Sequence, residues 1–176
     1  IWVNSENAEF GKFAEDCGVK FYQRPEALGN SVATSEQFVF DFLENVECDL
    51  LLQVHSIAPL LTHEEVRDFT SAFKASDNSV MLSCIEDKIE VAWKDQPVNF
   101  SFTVKTNSQE LIPTQRITWS ITGFRSQNYL EAVRKGQIGT YNGKIGFYPV
   151  SSISGHVIKT QMDLDIANAL FPLIVK

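Results

Sequence analysis

Asp49-Leu50-Leu51-Leu52-Gln53-Val54-His55-Ser56-Ile57-Ala58-Pro59-Leu60 is the stretch whose reading decides the fold. Its apolar run over 49–54 has strand length and no alternation, as expected of a strand covered on both faces. The run delivers Gln53 and Ser56 to the strand's carboxyl end, where ligands bind in an open α/β sheet. Upstream, Arg24-Pro25-Glu26-Ala27-Leu28-Gly29 reads as a polar loop. Ser35, Phe38, Val39, Phe42 and Leu43 then recur at helical spacing and form one apolar face.

Working outward, strands and helices alternate. Residues 1–4 read as a strand, Ser5 as the cap of a helix over 6–16 stopped by Gly18, and 19–22 as a second strand. Thr62-His63-Glu64-Glu65 is a capping-box pattern that opens a helix to about residue 75, followed by a strand over 80–84. This order predicts parallel strands joined by right-handed crossovers. Later, Val98, Phe100, Phe102 and Val104 alternate with polar residues and predict a half-buried strand; Ile117, Trp119 and Ile121 repeat the pattern. A short helix from Ser126 to about 135 is stopped by Gly136, a strand follows over 144–150, and Thr160 with Asp163 caps a last helix over 161–171. The expected fold is a three-layer α/β domain over 1–176 with a mostly parallel sheet and a projecting β extension at about 85–115.

Composition narrows the function. A chain of 176 residues, 44% hydrophobic, suffices for one sizeable core. A net charge of −7 without a Lys/Arg block argues against broad nucleic-acid or anionic-membrane binding. Three widely spaced cysteines, Cys17, Cys48 and Cys84, fit neither a disulfide framework nor a zinc site and point to a reducing cytoplasm. No apolar run reaches membrane-spanning length.

On residue chemistry alone, Arg24 reads either as a solvated surface arginine or as a guanidinium fork for phosphate or carboxylate. Gln53 offers amide donors and acceptors to a sugar or base, or bonds structurally to loop backbone. Trp2 and Trp93 read as packing residues, Trp119 and Ile121 as residues of a mid-sheet strand. Glycine spacing gives no dinucleotide fingerprint.

In order along the chain, these segments resemble the acylneuraminate (CMP-sialic acid) cytidylyltransferase family. That family has an arginine-proline loop, a downstream serine and a glutamine-led strand ending in Ser-Pro-Leu-Arg. The resemblance implies a nucleotide-diphospho-sugar transferase-like fold and transfer of a cytidylyl group from CTP, or another nucleotide, to an acidic sugar. It implies nucleotide contacts from Arg24 and Ser35, substrate contacts from Gln53, Ser56 and Arg116, and a homodimer through the extension. It also implies that the family's first strand, glycine-rich loop and first helix precede Ile1, so that this sequence is a fragment.

The departures are specific. Leu61 or Leu60 stands where members carry arginine, and Ser108-Gln109-Glu110-Leu111-Ile112-Pro113 lacks the family's leading arginine. Thr118, Trp119, Ser120, Ile121 and Thr122 replace the strand Asn-Gly-Ala-Ile-Tyr. The family's Ile-Asp-Ile-Asp pair that holds magnesium becomes Val157 and Lys159. Mg2+ is thus expected from the family but loses its carboxylate pair, and Lys159 either supplies phosphate-neutralising charge or points to solvent. A non-catalytic nucleotide- or partner-binding relative is the alternative reading, and an unrelated doubly wound module a third.

Overall fold

The computed structural model of the protein describes residues 1–174. In order, the elements are β1 (Trp2–Ser5), α1 (Glu9–Asp16), β2 (Lys20–Gln23), α2 (Ser35–Asn45), β3 (Leu50–Val54) and α3 (His63–Ala75). They continue as β4 (Val80–Asp87), β5 (Ala92–Trp93), β6 (Gln96–Pro97), β7 (Thr114–Arg125), α4 (Ser126–Arg134), β8 (Ile145–Pro149) and α5 (Gln161–Ile174). The chain forms two compact units, Ile1–Leu51 with Phe124–Asn142, and Leu52–Gly123 with the chain from Gly143 on.

In the first unit β1 and β2 pair in parallel, Trp2 opposite Lys20 and Ser5 opposite Gln23. The helix between them begins later than a Ser5 cap predicts. Ser5 closes the strand, and it is Asn7 Oδ1 that accepts from the Glu9 N–H at 2.9 Å. Val39, Phe42 and Leu43 of α2 are buried as their spacing predicts, with Phe42 edge-on to Trp2 and Tyr22 at 6.0 and 5.1 Å. Burial against this cluster and the nearby Asp41 push the Tyr22 hydroxyl up to about 12. Tyr129 of α4 is buried against Phe124, and its hydroxyl donates to the Glu36 carbonyl.

The second unit holds β4, β8 and most of β3 and β7, strands of a four-stranded sheet in the order β3-β7-β4-β8. One sequence expectation changes here. The strand covered on both faces is β4, whose residues from Val80 to Ile85 are all buried, whereas β3 is an edge strand with half-buried residues from Leu50 to Gln53. β7 lies between β3 and β4, and the parallel partner of β4 is β8. Local apolar content does not distinguish a central strand from an edge strand, because that depends on which strand pairs beside it. Thr62 and Glu65 form the expected capping box at α3, which buries Phe69 and Phe73. A Cβ at Gly123 would lie 2.7 Å from the Phe73 ring, so this close approach requires glycine.

β5 and β6 form an antiparallel hairpin. Lys94 and Asp95 both have positive φ (49° and 62°), the conformation a two-residue type I′ turn requires. The strand expected over 98–104 does not form. Instead the Asn99 side chain ties the segment down, accepting from the Val91 N–H and donating to the Ile89 and Ile112 carbonyls. The alternation there produces exposed apolar residues, Val98, Phe102 and Val104, because no strand pairs alongside. Trp93 is 70% exposed, which corrects its reading as a packing residue. α5 continues past the expected end at 171 to Ile174, with Pro172 in its last described turn, where the missing N–H removes a single ladder bond.

Candidate functional site

Two of the sequence-predicted residues belong to the first unit. Arg24 follows β2, and its backbone N–H donates to the Ser5 carbonyl at 3.1 Å. Its guanidinium pairs with Glu6 at 2.5 Å and lies 4.8 Å over the Phe38 ring, leaving the side chain 17% exposed. Hydrogen bonding, from the backbone first and then from Arg24, holds the Glu6 carboxyl below its ordinary range. Gly29 closes this loop onto Glu6; a Cβ there would come 2.2 Å from Glu6 Cγ. Arg24 is therefore not a solvated surface arginine. Its charge is already balanced by a carboxylate, while Nε is buried with no partner. Ser35 is exposed as the first residue of α2, beside the capping pair Thr34 and Gln37.

The others belong to the second unit, where two backbone bonds assemble the end of β3. His55 N–H donates to the Ser120 carbonyl at 3.1 Å, and Ile158 N–H donates to the Ile57 carbonyl at 2.8 Å. The second bond lays the segment before α5 along the loop that follows Ser56, so Ser56 and Lys159 come to the same strand end. Both are exposed. Gln53 is half-buried and makes no side-chain hydrogen bond among the described residues. Arg116 pairs with a carboxylate: its Nε lies 3.4 Å from Asp87 Oδ2 on the exposed part of β7.

The segment carrying Val157 and Lys159 is not a strand, so alternation does not place the two side chains on one face; Val157 is half-buried and Lys159 exposed. The reason is local. Asp163 Oδ2 accepts from the Lys159 and Thr160 N–H groups at 3.0 and 2.8 Å and from the Thr160 hydroxyl, which bends the backbone into the α5 cap. Those bonds, the Thr160 hydroxyl foremost, hold the Asp163 carboxyl below its ordinary value. A valine and a lysine supply no carboxylate oxygen, and no cluster of three or more His, Cys, Asp or Glu side chains suited to a metal occurs among the described residues. The donor set does not fit magnesium held in the family manner.

The structure adds two residues to the β3 end, His55 and Trp119. Trp119 is not the ordinary strand residue its alternation predicts. Its φ is +58°, left-handed, a conformation that costs a bulky residue about 1–3 kcal/mol. A hydroxyl cluster enforces it. The Ser83 Oγ, fully buried on β4, accepts from the Ser120 and Ile121 N–H groups at 3.1 Å each and lies 2.9 Å from Thr118 Oγ1. The Ser120 hydroxyl in turn donates to the Ser154 carbonyl at 3.0 Å. The Ser154 hydroxyl bonds Glu65, whose carboxylate also accepts from the Ser151 N–H at 2.9 Å. Burial raises the Glu65 pKa, but these donors together outweigh it and the net shift is downward. The indole so placed meets the His55 imidazole edge-on, ring centres 6.4 Å apart. Burial lowers the His55 pKa, favouring the neutral imidazole, and its Nε2 is buried without a partner. One signal in the sequence pointed here: Trp119 occupies the glycine position of the family's Asn-Gly-Ala-Ile-Tyr strand.

No family model matches the chain, and no curated protein matches it in sequence. Solved structures do. A 4-diphosphocytidyl-2C-methyl-D-erythritol synthase from Anaerococcus prevotii superposes with a TM-score of 0.68 at 16% identity, over 98% of this chain and 78% of its own. The chain has the nucleotidyltransferase-like α/β fold. A CMP:2-keto-3-deoxy-manno-octonic acid synthetase complexed with CTP gives 0.63 at 14% identity, over 98% and 80%. The 2-C-methyl-D-erythritol 4-phosphate cytidylyltransferase of Thermus thermophilus gives 0.53 at 16%, over 88% and 74%. Among the described residues no helix is long and apolar enough to cross a membrane.

Proposed function

We propose that this protein is a CTP-using nucleotidyltransferase that makes a CMP-activated acidic sugar. The observation that carries the reading is the fold match, over 98% of the chain, to a 4-diphosphocytidyl-2C-methyl-D-erythritol synthase and to a CMP-acidic-sugar synthetase complexed with CTP. The acylneuraminate-like order of segments supports the same class. In the proposed reaction a sugar hydroxyl oxygen attacks the α-phosphorus of CTP. Its bond to that phosphorus forms, the bond from phosphorus to the bridging oxygen of the β-phosphate breaks, the hydroxyl proton leaves, and pyrophosphate departs. Catalysis of this kind rests on positioning and charge neutralisation.

In this assignment Arg24 and Ser35 contact the nucleotide, and Gln53, Ser56 and Arg116 the sugar. Lys159 lends a point charge to the phosphates; its exposure and its place beside the Ser56 loop support that role. No step is routed through magnesium, since Val157 and Lys159 cannot ligate it. Dimerisation through the β5–β6 hairpin is part of the same reading, supported by the exposed Trp93, Val98, Phe102 and Val104.

Isothermal titration with CTP, UTP and CMP tests the nucleotide class, and pyrophosphate release from CTP with 2-keto-3-deoxy-manno-octonic acid tests turnover. CTP is expected to bind more tightly than UTP, and Lys159→Ala to weaken it about fivefold at low salt, the effect shrinking as salt screens the exposed charge. Absence of CTP binding refutes the reading.

A further inference from the structure

Outside the hairpin turn, Trp119 is the one non-glycine residue with positive φ among the described residues. Such conformations persist where surrounding bonds over-determine them, and they cluster at ligand sites. Here the Ser83 hydroxyl captures the next two backbone N–H groups and fixes the indole at the end of β3. Beside it, edge-on at 6.4 Å, is an imidazole whose Nε2 is buried and unpartnered. These are separate unfavourable features, one of backbone and one of desolvation, and they meet at one spot. Ser56 adjoins that spot in the chain, and the bond from Ile158 N–H to the Ile57 carbonyl brings Lys159 to the same strand end.

The chemistry indicates what it would take. An indole offers a flat apolar face that matches the C–H face of a sugar ring. A neutral imidazole donates or accepts one hydrogen bond. We propose that Trp119 and His55 form the acceptor subsite, the indole packing on a sugar ring and Nε2 bonding one of its hydroxyls as the imidazole turns outward. The naming of a sugar rests on the nucleotidyl-transfer reading; the placement of the subsite rests on Trp119 and His55 themselves.

The chain has 3 tryptophans, so a Trp2→Phe/Trp93→Phe background leaves Trp119 as the reporter. Into this protein are titrated 2-keto-3-deoxy-manno-octonic acid, N-acetylneuraminic acid and mannose, each with and without CTP. At least one sugar is expected to give a saturable change in Trp119 fluorescence, and His55→Phe, which keeps the ring contact, to weaken that binding about tenfold. Trp119→Gly relaxes the backbone but removes the indole, and calorimetry at a temperature where circular dichroism shows it folded is expected to find sugar binding lost. No response to any of the sugars, or unchanged affinity in His55→Phe, overturns the subsite. Sugar binding retained in folded Trp119→Gly assigns the indole to packing and also overturns it. A sugar response with no CTP binding leaves the subsite standing and refutes the nucleotidyl-transfer reading.

Discussion

Replacing Ser83 by alanine tests the account of β7 most directly. The Ser83 side chain is fully buried, and its oxygen uses its full capacity, accepting from two backbone N–H groups while its hydrogen is free to reach Thr118. Ser83→Ala removes the hydroxyl, so the Ser120 and Ile121 N–H groups lose their acceptor in the buried core. An orphaned buried donor costs about 1–3 kcal/mol. The Ser120 N–H retains a weak alternative, Thr118 Oγ1 at 3.5 Å, which lowers its share. The prediction is a loss of about 2–4 kcal/mol, or a melting temperature lower by roughly 5–15 °C for a chain of this size. Urea unfolding followed by tryptophan fluorescence measures it. Ser71→Ala is the control, since the exposed Ser71 hydroxyl only donates back to the Arg67 carbonyl in the same helix, and it is expected to change stability by less than about 0.5 kcal/mol. If Ser83→Ala unfolds like Ser71→Ala, the hydroxyl does not hold the left-handed turn at Trp119.

Other expectations concern neighbouring residues. Thr122 is fully buried with an unpartnered hydroxyl, so Thr122→Val should stabilise the protein by about 1 kcal/mol in the same assay, and a loss of stability would show that the hydroxyl is satisfied in solution. Burial holds His55 below its ordinary value of 6.5, so below that pH the unfolded chain binds the proton more readily than the folded one. Its contribution to stability is therefore full above about pH 6.5 and lost as pH falls from there through the lower folded value, and His55→Phe should flatten that part of the curve. An unchanged slope would mean that another group titrates there. Light scattering should find a dimer that Trp93→Asp/Phe102→Asp converts to monomer; a monomeric parent at all accessible concentrations would remove the hairpin as an interface.

Much of the fold is determined locally. Thr62 and Glu65 specify where α3 begins because a capping box involves only four consecutive residues. Phe42 and Leu43 mark the buried face of α2 because helical periodicity is a local property. The class of fold also follows from segment order, since alternating β and α elements have few compact arrangements. The sequence itself further determines that Val157 and Lys159 offer no oxygen pair to a metal, whatever surrounds them.

What tertiary structure decides is everything that depends on a distant partner. β3 and β4 look alike as apolar runs, and only pairing order makes one an edge and the other the core. The alternation at 98–104 has the period of a strand but no neighbour to pair with, so Asn99 ties it into a loop instead. Arg24 reads as a free cation until Glu6, 18 residues away, is folded against it. Trp119 is a residue of strand β7, as its alternation reads, but only Ser83, on another strand, taking the two N–H groups beyond it, sets its backbone left-handed. Local propensity fixes which conformations each segment prefers; long-range hydrogen bonds, worth more when buried away from water, decide which of them survive.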